Sequence, residues 1–339
     1  MRYRLLGRSG LLVSELALGT MVFGEESQRS TPPEDAGRLI HRFLDAGGNH
    51  IDTANVYAGG RSEEITGKAI QGKRNQVVLA TKVRFRSGGN GPNDQGLSRY
   101  HIMKSVEGSL RRLATDTIDL LYMHSWDPLT PIEESLRAFD DLVTAGKVRY
   151  IGVSNFKAWQ VMKSLGVSDA NGWARFIAAQ YQYSLVTRDV EPEYVDLCLS
   201  EGVGITPWGP LGGGFLSGKY QPGKLPDKGR ISTSPNDVEE AWWRRNTEKN
   251  WQILDVTNNL AAKYDASPSQ IAIAWLLAQP AVSSVIIGVR TMEQLDDNLG
   301  ASDLQLQLQE VDELNQASAF EDNYPYRLLK EQYNQRKEM

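Results

Sequence analysis

The sequence predicts an α/β protein whose parallel strands close into a (β/α)₈ barrel. Three observations carry that expectation. Strand-like and helix-like segments alternate along the chain, with eight strands and at least eight helices. Most links between them are short, which implies parallel strands joined by right-handed crossovers. The length, 339 residues, is ordinary for such a barrel with insertions, and the whole of 1–339 is expected to form one domain. An open doubly wound sheet would instead place a G-x-G-x-x-G turn after the first strand. Gly19 is followed by Thr20-Met21-Val22-Phe23-Gly24, which does not fit.

The elements follow in order. Residues 1–18 start basic and turn apolar, like a leader peptide, but Glu15 interrupts the apolar part and no small-residue cleavage site follows. This segment reads as a β-hairpin turning at Arg8-Ser9-Gly10, with 15–19 as the first barrel strand. A helix over 33–47 has proline near its first turn and glycine at its end. Strand 50–54 leads to a short helix over 62–70, opened by a serine cap and two glutamates. Strand 77–83 precedes an amphipathic helix over 98–114, and strand 118–124 a helix over 131–145 closed by Gly146. Then come strand 148–155, helix 158–165, strand 176–183, helix 191–201 and strand 204–211. A long segment follows before helices at 248–264 and 267–278, strand 283–289 and helix 292–300. Two connections are long and rich in glycine, 84–97 and 212–245. Both fall after strands, at the rim where such barrels carry their chemistry, so they are expected to wall the site.

Composition narrows the function. A net charge of −5 argues against a nucleic-acid surface, and it means that a phosphate-rich ligand must be met by local cations. No run of about 18 apolar residues is present, so no membrane span is expected. The single cysteine, Cys198, cannot form an internal disulfide. It lies in the apolar pattern of a helix, which fits a buried residue in a reducing, cytoplasmic setting.

Polar residues end three apolar runs: Asp52 after His50-Ile51, Lys82 after Leu79-Ala80-Thr81, and His124 after Leu121-Tyr122-Met123. Tyr57 follows Asp52 by five residues, in a loop. A charge inside a buried strand is costly, and the C-terminal strand end is where it is both tolerated and useful. Lys82 could favour the phenolate of Tyr57, and Asp52 could keep Lys82 charged. His124 could donate a hydrogen bond to a carbonyl oxygen while Tyr57 supplies a proton. Taken singly each has a structural explanation: a turn cap, a packed loop aromatic, a solvated strand end, a satisfied interior histidine. Of the four histidines, His41 and His101 fall in helices and His50 before its strand, so only His124 reaches the rim. The set has no nucleophile and no metal ligands, so it needs an external reagent, and hydride from a nicotinamide fits. A Schiff-base role for Lys82 is a different chemistry open to a rim lysine. Gly213 to Lys219 mimics the first seven positions of a P-loop, but Tyr220 stands where serine or threonine is required and Gln221-Pro222-Gly223 blocks the helix.

These residues carry a family resemblance. Ile51-Asp52-Thr53-Ala54 with Tyr57, Ala80-Thr81-Lys82, His124-Ser125-Trp126-Asp127, Gly152-Val153-Ser154-Asn155, Gln180-Tyr181, Pro207-Trp208-Gly209-Pro210-Leu211 and Ile287-Gly288-Val289-Arg290 resemble the aldo-keto reductases, in family order, from about residue 3 to 302. The branch most resembled holds bacterial reductases and potassium-channel beta subunits. The resemblance implies a barrel that binds NADP(H) across its rim, with Asp52, Tyr57, Lys82 and His124 as catalytic tetrad. It implies that Ser154, Asn155 and Gln180 hold the nicotinamide carboxamide, that Trp208 stacks on the ring, and that Thr20, Met21 and Asp52 line its reactive end. Gly209, Pro210, Leu211, Gly212 and Gly213 would follow the pyrophosphate. Gly288, Arg290, Gln294, Asp297 and Asn298 would meet the adenosine phosphate end, with Lys219 and Arg230 as further cations. Arg290 just precedes a helix start, which suits a phosphate, whereas Thr291 to Gln294 also fits a capping box. Trp126 and loop 84–97 would shape the substrate pocket, with Trp242 and Trp243 as distant candidates. Three positions depart from the family: Gly209 replaces a serine, Met21 a tryptophan and Val289 a smaller residue. The expected activity is NADPH-dependent, reversible reduction of a small-molecule aldehyde or ketone, with no metal. The alternative is an NADP-binding regulatory subunit with weak turnover. A homo-oligomer is compatible with either.

Overall fold

The computed structural model describes residues 1–24, 30–227, 230–233, 241–321 and 323–337. Eight parallel strands follow one another around a barrel: β3 (Leu16–Gly19), β4 (His50–Asp52), β5 (Val78–Val83), β6 (Ile118–Met123), β7 (Val148–Ser154), β8 (Phe176–Gln180), β9 (Gly204–Ile205) and β10 (Val285–Gly288). β10 pairs back onto β3. The ring closes between β9 and β10 through Ile205 and Val282, with the Ser283 amide donating to Ile205 O at 2.9 Å and the Ile286 amide to Pro207 O at 2.9 Å. An antiparallel hairpin, β1 (Tyr3–Leu5) and β2 (Leu12–Ser14), precedes the barrel. All eight expected strands are present. The seventh is shorter than expected because Pro207 and Pro210 have no N–H to offer a ladder.

Helices pack outside: α1 (Pro33–Asp45), α2 (Arg61–Ala69), α3 (Arg99–Leu113), α4 (Ile132–Thr144), α5 (Ala158–Asn171), α6 (Asp196–Glu201), α7 (Arg230–Thr233), α8 (Trp242–Arg245), α9 (Glu248–Tyr264), α10 (Pro268–Leu277), α11 (Met292–Leu299), α12 (Leu308–Ala317) and α13 (Tyr326–Lys337). Their starts follow local chemistry. Ser98 accepts from the His101 amide ahead of α3, and Ser267 with Gln270 forms a capping box ahead of α10. α12 and α13 lie beyond the expected elements, and Trp275 Nε1 donating to Asn315 Oδ1 at 2.9 Å ties α12 to α10. Among the described residues no helix is long and apolar enough to cross a membrane.

Two apolar clusters divide along the strands' two-residue period. Leu79, Leu121, Met123, Ile151, Val153 and Ala179 face outward into a cluster that runs from Leu16 to Leu314. Val78, Ala80, Leu120, Tyr122 and Ala178 form the interior cluster, plugged by Leu6 and Val13 from the hairpin. Gly152 is required there, since a Cβ on it would lie 2.6 Å from the Tyr122 ring. This floor holds up what stands above it.

Candidate active site

Continuing the interior period past the floor gives the next polar residue on each strand. Val78 and Ala80 lead to Lys82, Leu120 and Tyr122 to His124, and Ala178 to Gln180. Gly152 leads to Ser154, and His50 to Asp52. Ser154 pairs in register with Gln180. Alternation alone therefore converges these groups at the C-terminal mouth of the barrel.

Lys82, fully buried, spends its three ammonium protons on Asp52 Oδ1 at 2.5 Å, Thr53 O at 2.8 Å and the Tyr57 hydroxyl at 3.2 Å. The ammonium also lies 4.9 Å from the centre of the Tyr57 ring. Tyr57 is held by a tight turn in which its amide donates to Ala54 O at 3.1 Å. The second oxygen of Asp52 accepts from Gln180 Nε2 at 2.8 Å. Burial pulls the Lys82 pKa down, but the charge of Asp52 and the phenol of Tyr57 outweigh it, so Lys82 stands above the ordinary lysine value and is a cation. His124 goes the other way. Burial, then the positive charges of Lys82 and Arg84, hold its pKa well below the ordinary 6.5, and the ring is neutral. Its Nδ1 has no hydrogen-bond partner among the described residues. Phe85 packs edge-on at 4.9 Å and Tyr57 at 6.0 Å. Asn155, in the left-handed region at φ 54°, donates to His124 O and to Ser154 Oγ, both at 2.9 Å, and Ser154 donates to Gln180 O at 2.8 Å. The arrangement can protonate an oxyanion from a phenol beside a fixed cation, with a neutral imidazole alongside.

These groups form one end of a cleft of about 530 Å³. It is lined by Thr20, Met21, Asp52, Tyr57, His124, Ser154, Asn155, Gln180, Trp208, Gly209, Pro210, Leu211, Gly213, Lys219, Gly288, Arg290, Gln294, Asp297 and Asn298. Trp208 is held by its amide bonding Tyr181 O at 2.8 Å. Gly209 stands at φ 67°, which explains glycine in place of serine, since L-residues with a Cβ are strained there. Lys219 and Arg290 bring two cations to one cleft. Burial, and then Arg290, lower the Lys219 pKa below its ordinary value. An anion bound there would relieve both effects.

The remaining candidate residues have other neighbours. Trp126 is not among the residues that line this cleft, and its ring packs on Phe156 at 5.0 Å and Trp159 at 5.9 Å. The Gly212 amide donates to Gly209 O at 2.9 Å. Gln294 does not complete the capping box. Its Oε1 accepts from the Arg290 amide at 2.9 Å, one residue before the cap, and Thr291 Oγ1 accepts from the Gln294 amide at 3.4 Å. Asp297 reaches the cleft but is also engaged by Ser267 Oγ at 3.0 Å. The Arg230 side chain lies outside the described residues. Trp242 packs on Tyr220 and Trp251 instead of the tetrad. The P-loop-like stretch is a 3₁₀ turn, Gly212–Ser217, with left-handed Gly213 and Gly214 inside it, although several of its residues line the cleft. Cys198 is buried, and burial pushes its thiol up to about 12, so it is unreactive. No group of metal-binding side chains occurs among the described residues.

Sequence reading missed Gly19, Val22, Gly214, Ser217, Ser267, Ser269 and Ile286 as lining residues. Ser267 carried a signal only as a helix cap, and Gly214 and Ser217 only as part of the P-loop-like stretch Gly213 to Lys219.

Residues 15–319 match the model of the aldo/keto reductase family. A probable voltage-gated potassium channel subunit beta of Oryza sativa is 37% identical over 309 residues, covering 90% of this chain and 92% of that one. An uncharacterized oxidoreductase, YrpG, of Bacillus subtilis is 38% identical over 316 residues, with the same coverage of 90% and 92%. A versiconal hemiacetal acetate reductase of Aspergillus parasiticus is 34% identical over 337 residues, covering 93% and 96%.

Proposed function

The chain belongs to the aldo/keto reductase family, and on that premise we propose that it catalyses NADPH-dependent, reversible reduction of an aldehyde or ketone to the alcohol. The observation that carries this is the ammonium of Lys82, fixed by Asp52 and hydrogen-bonded at 3.2 Å to the Tyr57 hydroxyl at the end of the cleft. When bound, the nicotinamide supplies the hydride. Tyr57 delivers the proton to the carbonyl oxygen, and the Lys82 cation stabilises the phenolate that is left. Neutral His124 orients the same oxygen without competing for the proton. Ser154, Asn155 and Gln180 would hold the carboxamide, since they stand together on the cleft wall: Asn155 donates to Ser154 Oγ, Ser154 donates to the Gln180 backbone carbonyl, and Gln180 Nε2 donates to Asp52. Trp208 would cover the nicotinamide ring. Lys219 and Arg290 would meet the phosphates, and this cation pair is the support for NADPH over NADH.

A lysine held as a cation, with all three N–H groups engaged, is a poor nucleophile, which argues against the Schiff-base chemistry. A regulatory role is the second reading, favoured by the similarity to a protein named as a probable channel beta subunit. A panel of aldehydes and ketones, followed separately for NADPH and NADH consumption, decides between them. NADPH consumption on part of the panel is the expected result. Negligible turnover throughout, with stable co-purification of a membrane protein, would replace catalysis by regulation.

A further inference from the structure

Resting on the reductase reading above, we propose that Arg84 recognises the substrate, and that the carbonyl compound turned over carries an oxyanion, a carboxylate or a phosphate monoester. Arg84 lies two residues past Lys82, so the strand period puts it on the interior side, one step further out of the barrel. Its backbone is fixed on both flanks: the His124 amide donates to Val83 O at 3.0 Å, and the Gly96 amide to Arg84 O at 2.8 Å. The guanidinium carbon is 5.0 Å from the centre of the Phe85 ring, and that ring is 4.9 Å from His124. One aromatic ring therefore separates this cation from the proton-transfer site.

Among the described residues no carboxylate neutralises this cation. Other partly buried arginines meet carboxylates: Arg112 of α3 meets Glu63 at 2.7 Å, and Arg74, in the turn before β5, meets Asp119 at 2.7 Å. Arg84 makes no ion pair among the described residues, and its buried Nε has no hydrogen-bond partner there. Asp127 feels its charge, but the Asp127 oxygens are already taken by the Leu97 amide at 2.7 Å, Thr130 Oγ1 at 2.7 Å and the Leu129 amide at 3.1 Å. A partly desolvated guanidinium with unused donors is costly unless a ligand anion completes it, and its planar fork suits a carboxylate or phosphate. The phosphates of the cofactor do not account for it. Arg290 follows β10, while Arg84 follows β5, three strands further round the rim.

The test compares kcat/KM for para-carboxybenzaldehyde, its neutral methyl ester and para-formylphenyl phosphate, with NADPH, in the wild type, R84M and R84K. The wild type is expected to favour an anionic substrate over the ester by about 10- to 100-fold, the usual worth of a charge-assisted hydrogen bond. R84M should bring that ratio near one, and R84K should retain part of it. In the wild type alone the ratio should fall as salt is raised, a readout that needs no variant. Whichever anion is preferred identifies the source of the charge. A wild-type ratio near one, or a ratio that survives R84M, overturns the proposal. No consumption with any of the three aldehydes would instead count against the reductase reading, and the anion site would fall with it.

Discussion

Replacing Asp52 with asparagine removes one charge from a buried pair and keeps its shape. Lys82 is fully buried and Asp52 is 2% exposed, so the remaining ammonium has no water to turn to. Losing one partner of such a pair costs about 3–5 kcal/mol, because the other charge is left uncompensated. The asparagine side chain can accept from Lys82 through its oxygen, but its amide nitrogen then faces Gln180 Nε2, a donor against a donor. For a chain of this length that loss corresponds to a fall in Tm of roughly 4–7 °C, taking about 2.1 cal/mol/K per residue for the unfolding entropy. The dependence on pH is the sharper readout. In the wild type the folded pKa of Lys82 lies above its unfolded value of 10.5. The stabilisation is then fully present below that unfolded value and is lost only as pH rises through the folded one. Without Asp52, burial dominates and the folded pKa drops below the unfolded value. The penalty is then largest at neutral pH and is relieved as pH rises through the lowered pKa. Thermal unfolding followed by circular dichroism between neutral and alkaline pH should show D52N gaining stability relative to wild type as pH rises. K82M added to D52N removes the second charge, so the double variant should be more stable than the sum of the single losses predicts, by about 2 kcal/mol or more. Equal Tm values, parallel pH curves or strict additivity would refute a buried ion pair at the base of this site.

Three further outcomes follow. Tyr57→Phe should lower turnover at least ~100-fold, as expected for loss of a general acid, while cofactor affinity measured by fluorescence quenching stays near wild type; retained turnover would remove Tyr57 as the proton donor. Arg290→Ala should reduce the preference for NADPH over NADH in kcat/KM by about 10-fold or more, through loss of a charge-assisted phosphate contact, and an unchanged ratio would place the phosphate elsewhere. Gly209→Ser, restoring the residue usual in the family string, should cost about 1–2 kcal/mol because the backbone there is left-handed, and a serine variant as stable as wild type in denaturant would show that this turn relaxes freely.

The strands and the rim residues were legible because both obey the same two-residue period. Lys82 ends Val78-Leu79-Ala80-Thr81, and reading that run as a strand already decides which face the ammonium takes. What escaped depends on contacts between distant residues. The bond from Gln180 to Asp52 spans 128 residues, and no local pattern signals it. Nothing in the local sequence signals that the Trp126 ring packs on Phe156 and Trp159. The seventh strand was overextended because its apolar pattern continues past Ile205, while its prolines have no amide for the ladder. Gln294 is expected at the phosphate end with a capping box as the competing explanation, and only the three-dimensional turn shows its oxygen reaching the Arg290 amide.

The two ionisable bases at this site are both desolvated, Lys82 fully and His124 in large part, and they differ in their neighbours. Lys82 has a carboxylate in contact, and its charge survives desolvation. His124 has no acidic partner and stands near two positive charges, Lys82 and Arg84, and its charge does not survive. One strand end therefore supplies a permanent cation and another a permanently neutral imidazole. Under the proposed mechanism this leaves Tyr57 as the group whose proton is exchanged. His124 should not add a limb near its ordinary pKa of 6.5 to the pH profile of the free enzyme. The same electrostatics connect proton transfer to substrate recognition: Arg84, which helps keep His124 neutral and has no ion pair among the described residues, is the cation an anionic substrate would meet. Neutralising Arg84 should then move two observables together, the preference for an anionic carbonyl compound and the pKa of His124. The second can be followed by NMR of the imidazole, and its expected direction in R84M is upward, because one of the charges that lowers it has been removed. An R84M variant in which substrate preference changes and the His124 resonance does not would separate the two roles and place the guanidinium further from the ring than this geometry has it.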